Sequence, residues 1–146
     1  MKYIAYGSNM VKEQMAARCP DARLLGVGHI ERAQLEFYLH ATVKRSRIKG
    51  AHVPVAVWEL SKDDERHLDL YEGVPHYYKK EKWPARMKDG SEIQGMIYLM
   101  NIIRTAPPTA SYYNGIFNAY NTLGLGSEIE TVFEPALQRS LDRARR

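Results

Sequence analysis

Two short stretches hold the side chains from which a reaction could be built. The first is Tyr3-Ile4-Ala5-Tyr6-Gly7-Ser8-Asn9. An apolar strand that ends on Gly-Ser-Asn and runs into a helix start exposes several backbone N–H groups, with the positive end of the helix dipole behind them. That geometry holds a carboxylate or a developing oxyanion. Any strand-to-helix turn favours Gly, Ser and Asn, so the turn composition alone is not specific. The second stretch is Leu68-Asp69-Leu70-Tyr71-Glu72-Gly73-Val74. Glu72 falls at the C-terminal end of a helix, against its negative pole. There the ionised carboxylate is disfavoured, and its pKa rises toward what a general base needs at neutral pH. An ordinary exposed glutamate ahead of a C-cap glycine has the same local sequence, so both readings stand at this level.

Other chemistries lack their residues. The five histidines, His29, His40, His52, His67 and His76, show no metal-ligand spacing such as H-E-x-x-H and read as surface or interface side chains. The single cysteine, Cys19, excludes an internal disulfide framework and a cysteine-based zinc site. It lies near a helix end, where a thiolate is favoured, but reads better as a small structural residue. Gly26-Val27-Gly28 does not open a helix, and neither a Walker loop nor a G-x-S-x-G elbow is present. No metal and no cofactor is expected.

The elements that must position these stretches follow from local pattern. Lys2–Tyr6 alternates as a short buried strand, and Asn9 is placed to cap a helix over Val11–Arg18 that Pro20 ends. From Leu24 to His40 the pattern is β-like, with Leu35, Phe37 and Leu39 on one face and Glu36, Tyr38 and His40 on the other. Val53–Leu60 is a strand whose Pro54 places its start at an edge. Ser61 caps a helix with carboxylates in its first turn and Leu68 and Tyr71 as its buried stripe; Gly73 and Pro75 end it. Strands follow around Tyr77–Arg86 and Ile93–Met100, joined by Lys88-Asp89-Gly90. Thr109 caps a helix to about Leu123 that Gly124 and Gly126 terminate, and a last helix covers about Glu130–Leu141. With no regular βαβ alternation, the pattern predicts an α+β fold: a small, mostly antiparallel β-barrel with peripheral helices.

Composition bounds the remaining choices. The chain has 146 residues, 45% hydrophobic and 26% charged, which predicts a single globular domain over residues 1–146 rather than disorder. The apolar stretch Met96–Met100 is far short of the ~20 residues a membrane span requires, and the opening residues turn polar too soon for a secretory signal, so a cytoplasmic location without membrane association is expected. The net charge of +4 concentrates in Lys44, Arg45, Arg47 and Lys49 and in Arg139, Arg143, Arg145 and Arg146. No aromatic residues interleave with either cluster, so both read as a solvated hairpin rim and a frayed helix end, and no nucleic-acid partner is expected.

The pair "YIAYGSNM" and "LDLYEGVPHYY" resembles the gamma-glutamylcyclotransferase family. The supporting stretches "CPDARLLG", "VPVAVWELS", "IYLMN" and "YYNGIFNAYNTLGL" fall in the family's order over nearly the whole chain. The resemblance implies a barrel of the kind the pattern predicts, and no cofactor. It implies that the loop cradling a gamma-glutamyl group is Tyr3, Ile4, Ala5, Tyr6, Gly7, Ser8 and Asn9, and that the catalytic glutamate is Glu72. A substrate-contacting tyrosine maps onto Tyr112, with Tyr113 adjacent. The implied reaction is intramolecular: the free α-amine of a gamma-glutamyl amide attacks the γ-carbonyl, closing 5-oxoproline and releasing the attached amine. Glu72 would move the proton, the turn amides would hold the oxyanion or the α-carboxylate, and Tyr6 and Tyr112 would orient the glutamyl group through their hydroxyls.

The expected partner is thus a small-molecule gamma-glutamyl substrate. Two further readings stay open: a cyclotransferase specialised for a gamma-glutamylamine or a biosynthetic intermediate, and a non-catalytic module that binds gamma-glutamyl groups or carboxylates. Tyr77, Tyr78 and Trp83 read as exposed and suit either a homodimer patch or a pocket lining.

Overall fold

The computed structural model describes residues 1–146. Its opening alternation forms β1 (Lys2–Ala5), a 3-10 turn at Ser8–Met10 follows, and α1 (Lys12–Arg18) begins after it. The β-rich middle contains β2 (Arg23–Glu31), β3 (Ala33–Tyr38), β4 (His40–Arg45) and β5 (His52–Glu59). Then come α2 (Lys62–Glu72), β6 (Tyr78–Met87), β7 (Glu92–Met100), α3 (Ala110–Thr122) and α4 (Glu134–Ala144). No helix is long and apolar enough to cross a membrane.

Five strands close a barrel in the order β1-β5-β2-β6-β7, antiparallel throughout except where β7 meets β1 in parallel, with Tyr3 opposite Met96. The expected mostly antiparallel barrel with helices around it is the observed architecture. Pro54 sits where the expectation put it: β1 pairs only with Ala56–Glu59, so at Pro54 β5 has β2 alone beside it. Gly28 is required where β2 crosses β6, because a Cβ there would lie 2.2 Å from the Arg86 carbonyl oxygen.

β3 and β4 form a separate two-stranded hairpin. The run from Leu24 to His40 is therefore broken twice, at Arg32 and Leu39, each with a positive φ that turns the chain. Leu39 does not continue the face of Leu35 and Phe37. Glu36, on the face opposite Leu35 and Phe37, is 1% exposed, because α4 lies over that side of the hairpin. Arg139 Nη2 donates to the Leu35 carbonyl at 2.7 Å and Arg143 Nη2 to that of Phe37 at 2.9 Å, satisfying β3 where no strand follows. Around the Glu36 carboxylate stand Arg143 at 3.1 Å, Lys44 at 3.4 Å and Arg139 at 3.5 Å, with the Gln34 amide at 2.6 Å. Burial alone would raise its pKa; the amide and the cations offset this and hold it below the usual range. Half of the tail's arginines thus hold the fold together, and Lys44, although exposed, joins them at Glu36.

Phe133 anchors the helices. It stacks on Tyr113 at 4.5 Å between ring centroids and packs against Phe37 and Tyr120; burying such a ring contributes roughly 1.5–3 kcal/mol. The final helix begins at Glu134 with Pro135 in its first turn, after a wider π turn over Ile129–Phe133, rather than as one helix from Glu130. Trp83, expected at the surface, is buried under the Arg45 guanidinium, 4.2 Å from its ring centroid.

Candidate functional site

A cavity of about 380 Å³ opens at one end of the barrel, between the barrel wall and the β3–β4 hairpin. Its inner part is lined by Tyr3, Tyr6, Gly7, Ser8, Asn9, Glu72 and Tyr112. The two stretches singled out in the sequence therefore meet, although 63 residues separate Asn9 from Glu72.

α2 delivers Glu72. Ser61 Oγ accepts from Asp64 N–H at 3.1 Å, three carboxylates occupy the first turn, and Leu68 is fully buried beneath. At the other end Gly73 adopts φ 69°, which closes the helix immediately after Glu72 and aims the next residues along the cavity rim. Tyr71 is not part of the buried stripe: it is 56% exposed and takes a hydrogen bond from Arg18 Nη2 at 2.5 Å.

Glu72 is half-buried as a residue, but its carboxyl points into an aromatic-walled cavity. Burial pushes its pKa up to about 7, against the opposing pull of the Arg18 guanidinium and the Asn9 amide. The perturbation has the sign expected from sequence, but desolvation rather than the helix pole causes it.

Asn9 departs from its expected role. It lies inside the 3-10 turn and is 3% exposed, while Val11 occupies the N-cap of α1 without a side-chain cap. Its NH2 instead donates to Tyr3 Oη at 2.8 Å and to Glu72 Oε1 at 3.4 Å, and its carbonyl oxygen accepts from Arg18 Nη1 at 2.5 Å. Trp58 Nε1 donates to the Asn9 carbonyl at 3.0 Å, fixing the backbone of the turn to β5. The turn's own hydrogen bonds run from Met10 and Val11 N–H to the Gly7 and Ser8 carbonyls, and the first amides of such a turn have no acceptor within it.

The remaining predicted residues divide. Ile4 and Ala5 are buried in β1 and do not line the cavity; they hold the strand between β5 and β7. Tyr6 lines it, but its hydroxyl donates to the Tyr98 carbonyl at 2.5 Å, so it has no proton left for a ligand. Tyr112, and not Tyr113, reaches the cavity: its hydroxyl accepts from Ala41 N–H at 3.0 Å and keeps its own proton to donate, while Tyr113 stacks in the core. Gly7 is fitted to this contact, since a Cβ there would lie 3.3 Å from Tyr112 Oη and from Ala41 Cβ.

Sequence reasoning missed the outer part of the cavity. Tyr38, His40 and Ala41 come from the hairpin, Met100 from β7, and Ile102 and Arg104 from the segment beyond it. Nothing in these residues' local patterns points to a shared site, because they are brought together only by the packing of the hairpin against the barrel. Arg18 was missed for the same reason. Tyr77 and Tyr78, open between a pocket lining and a dimer patch, line the pocket.

The sequence profile described as "Gamma-glutamyl cyclotransferase, AIG2-like" matches residues 3–115. A Homo sapiens protein named gamma-glutamylcyclotransferase is 31% identical over 123 residues, 75% of this chain and 64% of that protein, so the match spans less than two thirds of its length. The Mus musculus protein of the same name is 27% identical over 139 residues, 88% of this chain and 74% of its own. A solved structure named gamma-glutamyl cyclotransferase superposes with a TM-score of 0.80 at 28% identity, covering 89% of this chain and 83% of the other.

Proposed function

The chain belongs to the gamma-glutamyl cyclotransferase, AIG2-like family, and from that membership and the cavity's geometry we propose that it cyclises gamma-glutamyl amides to 5-oxoproline. The substrate's α-ammonium gives one proton to the base, its nitrogen attacks the γ-carbonyl carbon, and the bond from that carbon to the attached amine breaks. The ring nitrogen sheds a second proton on closure, so one of the two goes to the departing nitrogen and the other to solvent. Cavity volumes of a few hundred Å³ suit a ligand of this size.

The observation that supports this reading most directly is a carboxyl held near pKa 7 beside a turn of amide donors. An α-ammonium titrates near ~8 and is mostly protonated at neutral pH, so the attacking amine must first lose a proton. A base at about 7 is ionised enough to accept it and acidic enough to return it to the departing nitrogen. The Gly7–Asn9 turn offers amides to the oxyanion or the α-carboxylate, and the Tyr112 hydroxyl beside Gly7 offers a further donor. Ring closure is intramolecular, so the cavity's task is to hold the glutamyl chain folded and to relay protons from the attacking to the departing nitrogen.

The test is 5-oxoproline release from a panel of gamma-glutamyl dipeptides, a gamma-glutamyl-ε-lysine isopeptide and glutathione, with Glu72→Gln in parallel. Release by the parent and not by a folded Glu72→Gln protein is expected. Full activity in that variant would remove Glu72 as the base. Tight binding of 5-oxoproline without turnover across the panel would make the protein a binding module instead.

A further inference from the structure

We propose that Arg18 is a positioning residue for Glu72: held on Tyr71, its guanidinium fixes the Asn9 amide so that the NH2, and not the carbonyl, faces the carboxylate. The inference rests on the cyclisation reading for its consequence in turnover, while the geometry stands by itself.

One guanidinium spans both motifs. Nη1 donates to Asn9 Oδ1 at 2.5 Å and to Ser8 Oγ at 3.1 Å; Nη2 donates to Tyr71 Oη at 2.5 Å, and Cζ lies 3.8 Å from the centroid of that ring. Asn9 has two orientations of nearly equal shape. In the one observed, the carbonyl oxygen meets a cation, and the NH2 meets Tyr3 Oη and Glu72 Oε1. Turned over, the amide would set an acceptor against a carboxylate and donors against a guanidinium, losing the bonds to Glu72 and Arg18, while the Tyr3 hydroxyl can donate as well as accept. Only a planar fork with fixed donor directions serves the turn and Tyr71 together; a lysine ammonium is a single point charge. The fork also ties the turn after β1 to the residue preceding Glu72, so the two halves of the site are joined through one side chain.

The groups around the Glu72 carboxyl are Tyr3 from β1, Tyr6 just after it, Asn9 from the turn, Arg18 from α1, Tyr71 from α2, Tyr78 from β6, Tyr98 from β7 and Tyr112 from α3. Burial drives Tyr3, Tyr6, Tyr78, Tyr98 and Tyr112 further from ionisation, which leaves Arg18 as the charged member of the set. It favours the ionised carboxylate directly and through the amide it orients.

The test follows the Glu72 carboxyl by carbon-13 NMR through a pH titration, its signal assigned by its loss in Glu72→Gln. In Arg18→Met the midpoint should rise by about half a pH unit or more, and the acid limb of kcat/KM should move with it. In Arg18→Lys, which keeps the charge and loses the fork, the midpoint should stay near the parent's while kcat remains depressed at high pH, where the carboxyl is ionised. A midpoint unchanged in Arg18→Met would overturn the proposal, because a merely structural arginine would lower stability and rate without moving a titration. If Arg18→Met does not fold, Arg18→Lys decides, and parent-like kcat there overturns it. Turnover surviving in Glu72→Gln would refute the base without touching the titration, so the two ideas fail separately.

Discussion

Replacing Glu72 by glutamine removes a buried charge as well as a base, and the two losses have opposite signs. The carboxyl titrates at 4.5 when exposed and at about 7 in the folded protein, because burial penalises its ionised form. Below about pH 4 it is protonated in both states and costs nothing. Between the two values the unfolded chain ionises first, so stability falls as pH rises, and above about pH 8 the loss is complete. At about 1.4 kcal/mol per tenfold change in proton affinity, the loss amounts to at most about 3.5 kcal/mol. Glutamine has nearly the same shape and no charge to desolvate. Glu72→Gln should therefore match the parent near pH 4 and be more stable by up to about 3.5 kcal/mol near pH 9, a Tm gap of roughly 7–14 °C for a chain of this size. Thermal denaturation of both proteins across that pH range, alongside 5-oxoproline release, reads both effects. Tm curves that run parallel at every pH would refute the claim that this carboxyl is held near neutrality by burial.

Gly73→Ala forces a Cβ onto a left-handed residue and toward Tyr77 Cδ2, 2.6 Å away; it should cost roughly 1–2 kcal/mol in urea titration and raise KM as Tyr77 is displaced from the cavity rim. Glu36→Gln leaves Arg139 and Arg143 around a neutral amide, and equilibrium unfolding should show a loss of about 3 kcal/mol, with α4 becoming the first segment open to protease. The Cys19 thiol is 1% exposed, and burial pushes its pKa up to about 12; it should resist thiol reagents at pH 8 in the native protein and react at once when unfolded.

Legibility tracked how local each decision is. Ser61, Gly73, Thr109 and Gly124 ended or began helices as expected, because caps are settled by a few neighbouring residues: Thr109 Oγ1 accepts from Tyr112 N–H, and Gly124 takes φ 76°. The convergence of the turn after β1 with Glu72 was legible only through resemblance, since nothing local joins residues so far apart. Trp83 and Tyr71 were misread because burial at each is settled by tertiary packing: Arg45 covers the one, and the other is left 56% exposed. Asn9 was misread because its side chain had two uses. A cap on α1 would have satisfied one orphan amide, whereas inside the cavity the same side chain makes three hydrogen bonds to Tyr3, Glu72 and Arg18.

The β3–β4 hairpin shares no ladder with the barrel, yet it supplies one wall of the cavity. Beyond its anchors on α4, it meets the rest of the cavity by single hydrogen bonds: Ala41 N–H to Tyr112 Oη, Tyr78 Oη to the Ala41 carbonyl, Met100 N–H to Thr42 Oγ1 and Leu39 N–H to the Ala106 carbonyl. The wall bearing Glu72 and the Gly7–Asn9 turn is woven into the closed barrel and its capping helices, while the wall bearing Tyr38 and His40 is a leaf laid against it. Substitutions on the leaf can reshape one side of the cavity without altering a single barrel register. A scaffold divided in this way can vary one wall while the wall bearing Glu72 and the turn stays fixed.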